Sequence, residues 1–178
     1  LGPVVTGEAK NRILGLIDSG VAQGADLKVD GRDFKLQGYE NGFFVGACLF
    51  DNVTTEMDIY KQEIFGPVLS TVRAQNYEEA LSIVVNNEYG NGTAIFTRDG
   101  DTARDFSNRI NVGMVGVNVP IPVPLAYHTF GGWKKSAFGD LNQHGPDAFR
   151  FYTRTKTITS RWPTGIKEGA SFSIPTME

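Results

Sequence analysis

At 178 residues the chain is one domain, or one domain with an appendage, and 40% apolar against 21% charged residues is an ordinary globular balance. A net charge of −3 and no basic run longer than Lys134-Lys135 argue against nucleic acid as a partner, and no apolar run reaches membrane-spanning length. The single cysteine, Cys48, excludes an internal disulfide and fits a reducing compartment.

The chain opens Leu1-Gly2-Pro3 and passes at once into a helix, which reads as the middle of a longer polypeptide. Thr6 is placed to cap that helix. Ile13, Leu14, Ile17 and Val21 give it an apolar face, and Gly20 and Gly24 offer its end. Extended pieces follow at residues 27–29 and 43–50. Thr54-Thr55-Glu56 opens a short helix running toward Glu63.

From Val68 strand and helix alternate. Residues 68–72 are a strand. Asn76-Tyr77-Glu78-Glu79 has capping-box spacing and opens a helix with Leu81, Val84 and Val85 inward. Residues 93–97 are a strand, and 99–110 a helix with Ala103, Phe106 and Ile110 inward. Residues 112–119 are a buried strand. This order predicts an α/β fold with a parallel β-α-β sheet and right-handed crossovers.

Pro120, Pro122 and Pro124 forbid a central strand, so residues 120–139 form a long loop after the carboxyl end of a strand. Open α/β sheets put ligands there. Gly145-Pro146-Asp147 starts a short helix, and residues 153–161 form a threonine-rich strand.

Two segments do not read as ordinary scaffold. Glu63-Ile64-Phe65-Gly66-Pro67-Val68 sets a carboxylate two residues from an aromatic ring, then stops regular structure with Gly-Pro. On the hexapeptide alone, a helix-end carboxylate beside a core phenylalanine competes on equal terms. Phe130-Gly131-Gly132-Trp133-Lys134-Lys135-Ser136 packs turn-forming and bulky groups into a tight loop. The other chemistry-bearing residues take blander roles. Cys48 lies in strand-like apolar sequence and reads as a buried hydrophobe. His128 and His144 have no partner pattern and make no metal site. Lys134-Lys135 reads as a solvated turn rim, and Arg73, Arg98, Arg104 and Arg109 as surface or helix-end charges. Gly90-Asn91-Gly92 is a turn and lacks the following helix of a phosphate loop.

Taken in order, the two segments resemble the aldehyde dehydrogenase superfamily, as do residues 86–97 and 110–118. Phe138-Gly139-Asp140-Leu141-Asn142, residues 151–162 and Ser171-Phe172-Ser173-Ile174-Pro175-Thr176-Met177 are similar to its CoA-acylating methylmalonate-semialdehyde branch. The resemblance implies a C-terminal fragment. Residues 1–150 would be the C-terminal part of a catalytic domain, and 151–178 an oligomerisation strand and tail. Glu63 would accept the ribose hydroxyls of NAD, and Phe65 would pack against its nicotinamide. Val123, Pro124, Leu125 and Tyr127 would wall the substrate pocket, with Phe130 supporting the turn and Gly131 and Gly132 allowing positive φ or close approach. The implied activity is oxidation of a small semialdehyde through a cysteine thioester to propionyl-CoA or acetyl-CoA. NAD is the cofactor, CoA the co-substrate, and the catalytic cysteine lies outside this stretch. A homodimer or homotetramer is implied, in bacterial cytoplasm or mitochondrial matrix, with the fragment alone inactive. Two alternatives stand beside this: a non-acylating NAD(P)-dependent aldehyde dehydrogenase, and a truncated module that keeps only assembly function.

Overall fold

The structure is a computed structural model and describes residues 1–129 and 131–162. Phe130 and the tail motif at 171–177 lie outside the described residues.

Helix α1 spans Gly7–Ala22. Thr6 caps it in extended backbone, its Oγ1 accepting from the Ala9 N–H at 3.1 Å, which satisfies one orphan donor of the first turn. The buried stripe is Ile13, Leu16, Ile17 and Gly20, at i, i+3, i+4 and i+7. Two expectations shift here. Val21 is 43% exposed, and Leu16 takes its place inside. Gly20 does not end the helix but allows a close contact: a Cβ there would stand 2.8 Å from Ile59 Cδ1 and 3.1 Å from Phe50 Cζ. Gly24, at φ +94, makes the turn out.

Strands β1 (Asp26–Val29), β2 (Cys48–Asp51) and β3 (Val68–Ser70) form one sheet in that order. β1 pairs antiparallel and β3 parallel to β2. The short helix α2 (Asp58–Lys61) lies in the crossover from β2 to β3. The strand expected over 43–50 is confined to its end. Before Cys48 the backbone leaves the ladder, with the Gly46 N–H donating to Gly31 O at 3.0 Å. Ile13, Ile17, Cys48, Phe50, Val53 and Ile64 belong to a first core.

Helix α3 (Tyr77–Asn86) is capped by Asn76, whose Oδ1 accepts from the Glu79 N–H at 3.0 Å. The Glu79 carboxylate reaches back to the Gln75 N–H at 2.7 Å, one residue before the reciprocal partner of a capping box. Strands β4 (Tyr89–Gly90) and β5 (Gly92–Ile95), helix α4 (Gly100–Arg109) and strand β6 (Met114–Val117) follow. β5 and β6 pair in parallel, Gly92 opposite Met114 through Ile95 opposite Val117. Leu81, Phe106, Ile110 and Val112 make a second core.

The α/β class with parallel β-α-β pairing holds, but the single sheet does not. Among the described residues the strands fall into three small sheets, because β3 joins β2 and the two-residue β4 pairs antiparallel with β7 (Trp133–Lys134). Alternation in sequence dictates crossovers and leaves open which edges meet.

Gly145–Asp147 is a 3-10 turn that leads into α5 (Ala148–Tyr152). The threonine-rich strand expected at 153–161 is absent: residues 153–162 are exposed and carry no regular secondary structure. Such a segment has no ladder without an adjoining edge, and alternating threonines offer little apolar surface to order it.

α1 provides a paired test. A Cβ at Gly15 meets nothing within 4 Å, whereas at Gly20 it presses on Ile59 and Phe50. Gly15→Ala should stabilise by about 0.5–1 kcal/mol. Gly20→Ala should destabilise by about 1–3 kcal/mol through overpacking. Denaturant midpoints moving in opposite directions are the expected readout.

Candidate functional site

The backbone leaves α2 in extended conformation at Gln62 and enters the Glu63 segment. Ile64 turns into the first core at 9% exposed, so Glu63 and Phe65 on either side face outward. Phe65 sits at φ +53 and the residue is 71% exposed. A bulky residue rarely adopts this left-handed region, and strain of this kind gathers at ligand-handling sites.

The segment is held from two directions. The Arg12 guanidinium on α1 donates to Glu63 O at 3.1 Å and to Ile64 O at 2.8 Å. Gly66 lies directly on α1, where a Cβ would stand 2.7 Å from Ile13 Cδ1. On the sheet side, the Cys48 N–H donates to Pro67 O at 2.9 Å. Cys48 itself is 3% exposed in the first core and accepts from the Gly31 N–H at 3.2 Å, in keeping with a structural role.

Glu63 lines a cleft of about 980 Å³. One wall is Tyr60, Lys61, Gln62 and Glu63; the other is the Glu79, Ser82, Ile83 and Asn86 side of α3. Asn87, Glu88, Lys135 and Ser136 are also among its lining residues. Tyr60 OH spans the two walls, donating to Ile83 O at 3.4 Å and accepting from Asn87 Nδ2 at 3.5 Å. The Glu63 carboxylate has no partner among the described residues. It is therefore free to accept from a ligand's paired hydroxyls, and the bared Phe65 ring offers a flat apolar face. These two side chains fit the ribose and nicotinamide of NAD in chemical type. Phe65 does not line the cleft that Glu63 lines.

Lys134 departs from the expected solvated rim. Its backbone is at φ +55, and its half-buried ammonium donates to Val85 O and Asn87 O, both at 2.8 Å, at the end of α3. Nothing local marks a lysine whose partners lie nearly fifty residues upstream. Lys135 does stay at the rim, where its bond to Glu88 raises its pKa. The Gly90 N–H donates to Ser136 Oγ at 3.0 Å, closing the loop onto β4.

Gly131 and Gly132 serve close approach and not positive φ: a Cβ on Gly113 would stand 2.9 Å from the Gly132 backbone. Beside them a smaller cavity of about 190 Å³ is lined by Thr129, Gly131, Gly132, Asn142 and His144 among others. Val123, Leu125 and Tyr127 are exposed and Pro124 is half-buried, and none of the four lines either cavity. Tyr127 packs its ring 4.7 Å from that of His128.

A family model described as the aldehyde dehydrogenase family matches residues 1–158. The chain belongs to that family. It is 61% identical over 178 residues to the malonate-semialdehyde dehydrogenase of Pseudomonas aeruginosa, covering 99% of this chain and 36% of that protein. It is 51% identical to the human mitochondrial acylating methylmalonate-semialdehyde/malonate-semialdehyde dehydrogenase, covering 98% and 32%. An NAD-complexed crystal structure from Sinorhizobium meliloti, assigned as a methylmalonate-semialdehyde dehydrogenase, matches with TM-score 0.87 and 76% identity over 93% of this chain and 34% of that one. The chain thus spans about a third of the length of these relatives. Among the described residues, no helix is long and apolar enough to cross a membrane.

The Lys134 clamp is open to test. Lys134→Met keeps the stem but loses both carbonyl bonds, at a cost of about 2 kcal/mol for charged hydrogen bonds. Faster amide exchange at Gly90, whose N–H is held by Ser136, is expected alongside.

Proposed function

We propose that this aldehyde dehydrogenase chain works within a longer, NAD-dependent, CoA-acylating malonate- or methylmalonate-semialdehyde dehydrogenase. In it, residues 1–150 complete the catalytic domain and 151–178 form the assembly tail. The observation that carries this reading is the outward pair Glu63 and Phe65 on a strained, tightly held segment beside a large cleft. When bound, NAD accepts the hydride that leaves the substrate carbon. Glu63 accepts hydrogen bonds from the ribose hydroxyls, and Phe65 packs against the nicotinamide. Both orient and neither makes bonds.

Val123, Pro124, Leu125 and Tyr127 are the dry wall of the semialdehyde pocket, covered by parts of the enzyme outside this chain. The exposure of Val123, Leu125 and Tyr127 supports this, since such a surface calls for cover. The thiol nucleophile also comes from outside the chain, because Cys48 is sealed in the core. The chain alone therefore has no turnover. The substrate carboxylate leaves as carbon dioxide and the remaining acyl group passes from the thioester to CoA, giving acetyl-CoA from malonate semialdehyde or propionyl-CoA from methylmalonate semialdehyde. One methyl in an apolar pocket is worth about 1–3 kcal/mol, so one wall can serve both semialdehydes. The bacterial and mitochondrial relatives favour bacterial cytoplasm or mitochondrial matrix.

In the full-length enzyme, Glu63→Gln should keep the fold. It forfeits charge-assisted bonds worth roughly 1.5–3 kcal/mol, which is about tenfold or more in hydride transfer. Unchanged pre-steady-state NADH formation together with unchanged NAD affinity would refute the role. Product analysis belongs to the same experiment: with CoA supplied, acyl-CoA as the product supports acylation, and free acid points to the hydrolytic alternative.

The tail is tested separately. Residues 153–162 lie exposed without a ladder of their own, which fits a strand that adds to a neighbouring subunit. Thr157→Pro removes a ladder N–H and should dissociate the oligomer. A wild-type mass by light scattering, with wild-type thermal stability, would end that assignment.

A further inference from the structure

We infer that Arg12 is a positioning residue of the cofactor site, fixing the backbone that presents Glu63 and Phe65. This rests on the nicotinamide-orienting role proposed above for those two side chains.

α1 places Arg12 next to Ile13, the residue on which Gly66 rests. Two donors of its planar fork reach two consecutive carbonyls, Glu63 O at 3.1 Å and Ile64 O at 2.8 Å. A fork across neighbouring carbonyls sets the orientation of two peptide planes, where a single bond would set only a distance. The second plane is the one that matters most. The φ of Phe65 is measured from the Ile64 carbonyl carbon, so a held Ile64 carbonyl opposes relaxation of Phe65 from +53. No other donor among the described residues reaches these two carbonyls. Beyond Phe65 the chain is tied independently, through Gly66 on Ile13 and Pro67 O on the Cys48 N–H.

Loss of Arg12 therefore frees one side of the strained residue and leaves the other fixed. Ile64 stays in the core, the fold persists, and the outward pair loses its aim. The fault then appears in hydride transfer and NAD binding, while affinity for the semialdehyde is unaffected.

The test uses the full-length enzyme with Arg12→Ala, Arg12→Lys and Glu63→Gln in parallel. The readouts are NAD affinity by calorimetry, single-turnover NADH formation, KM for the semialdehyde and the cofactor-free melting midpoint. For Arg12→Ala we expect a near-wild-type midpoint, an unchanged semialdehyde KM and weaker NAD binding. Hydride transfer should fall by about 10–100-fold, the scale of a misplacement on the order of 1 Å. Arg12→Lys should recover part of the loss, since an ammonium also donates to carbonyls. Wild-type NAD binding and hydride transfer in Arg12→Ala, beside an impaired Glu63→Gln, would overturn the role of Arg12 alone. An unimpaired Glu63→Gln would remove the reading of the site, and the role of Arg12 with it. If the alanine variant does not fold, Arg12→Gln decides: its single amide group can hold one carbonyl, so an intermediate rate supports the inference and a wild-type rate overturns it.

Discussion

The contact on which the site depends is that between α1 and the backbone of residues 63–67. Gly66 lies against Ile13 so closely that a methyl group would not fit. Ile13 is in turn wholly buried at the centre of the first core. That contact sets the depth of the segment, and burial of Ile64 sets its rotation. With Ile64 turned inward, its two neighbours have to face out. The left-handed Phe65 costs about 1–3 kcal/mol, and burying an isoleucine side chain returns about 1.5–3 kcal/mol. The strained residue can persist because it sits between groups held by unrelated means: a guanidinium before it, a helix face beneath the next residue and a sheet hydrogen bond after that.

What could be read from the sequence divides by range. Thr6 and Asn76 were legible as caps because a cap is decided within four residues, and both accept the N–H bonds their spacing implies. The inward faces of α3 and α4 were legible from period alone, with Leu81 and Phe106 buried on them and Ile110 buried just past the end of α4. Where local pattern and tertiary contact compete, the pattern fails. Gly20 looked like a helix stop because glycine often is one, but its use is to admit Ile59 and Phe50. Residues 43–47 have strand composition yet lie outside the β2 ladder, since composition does not supply an edge.

The site divides in the same way. Glu63 and Phe65 are candidates through a family resemblance alone, and no periodicity singles them out. The φ of Phe65, the Arg12 fork and the Lys134 clamp had no sequence signal at all. The fork and the clamp each join residues about fifty positions apart, and each uses backbone carbonyls as partners, which every residue possesses. Charged side chains that serve backbone are therefore the class most easily mistaken for solvated surface.

The position of the cleft follows from how the two cores meet. One core is built around α1 and β2, the other around α3 and α4, and the cleft lies between α2 and α3, at their margins. The link across it is polar: Tyr60 OH on α2 to Ile83 O and Asn87 Nδ2 on the α3 side. An apolar junction of similar extent would close, because every exposed methylene favours collapse by about 0.8 kcal/mol. Polar groups that already bond to one another gain little from closing further, and they keep their hydration where they face the opening. A space between two dry cores can thus stay open, while Glu63 on its wall keeps a carboxylate unspent on any protein donor among the described residues.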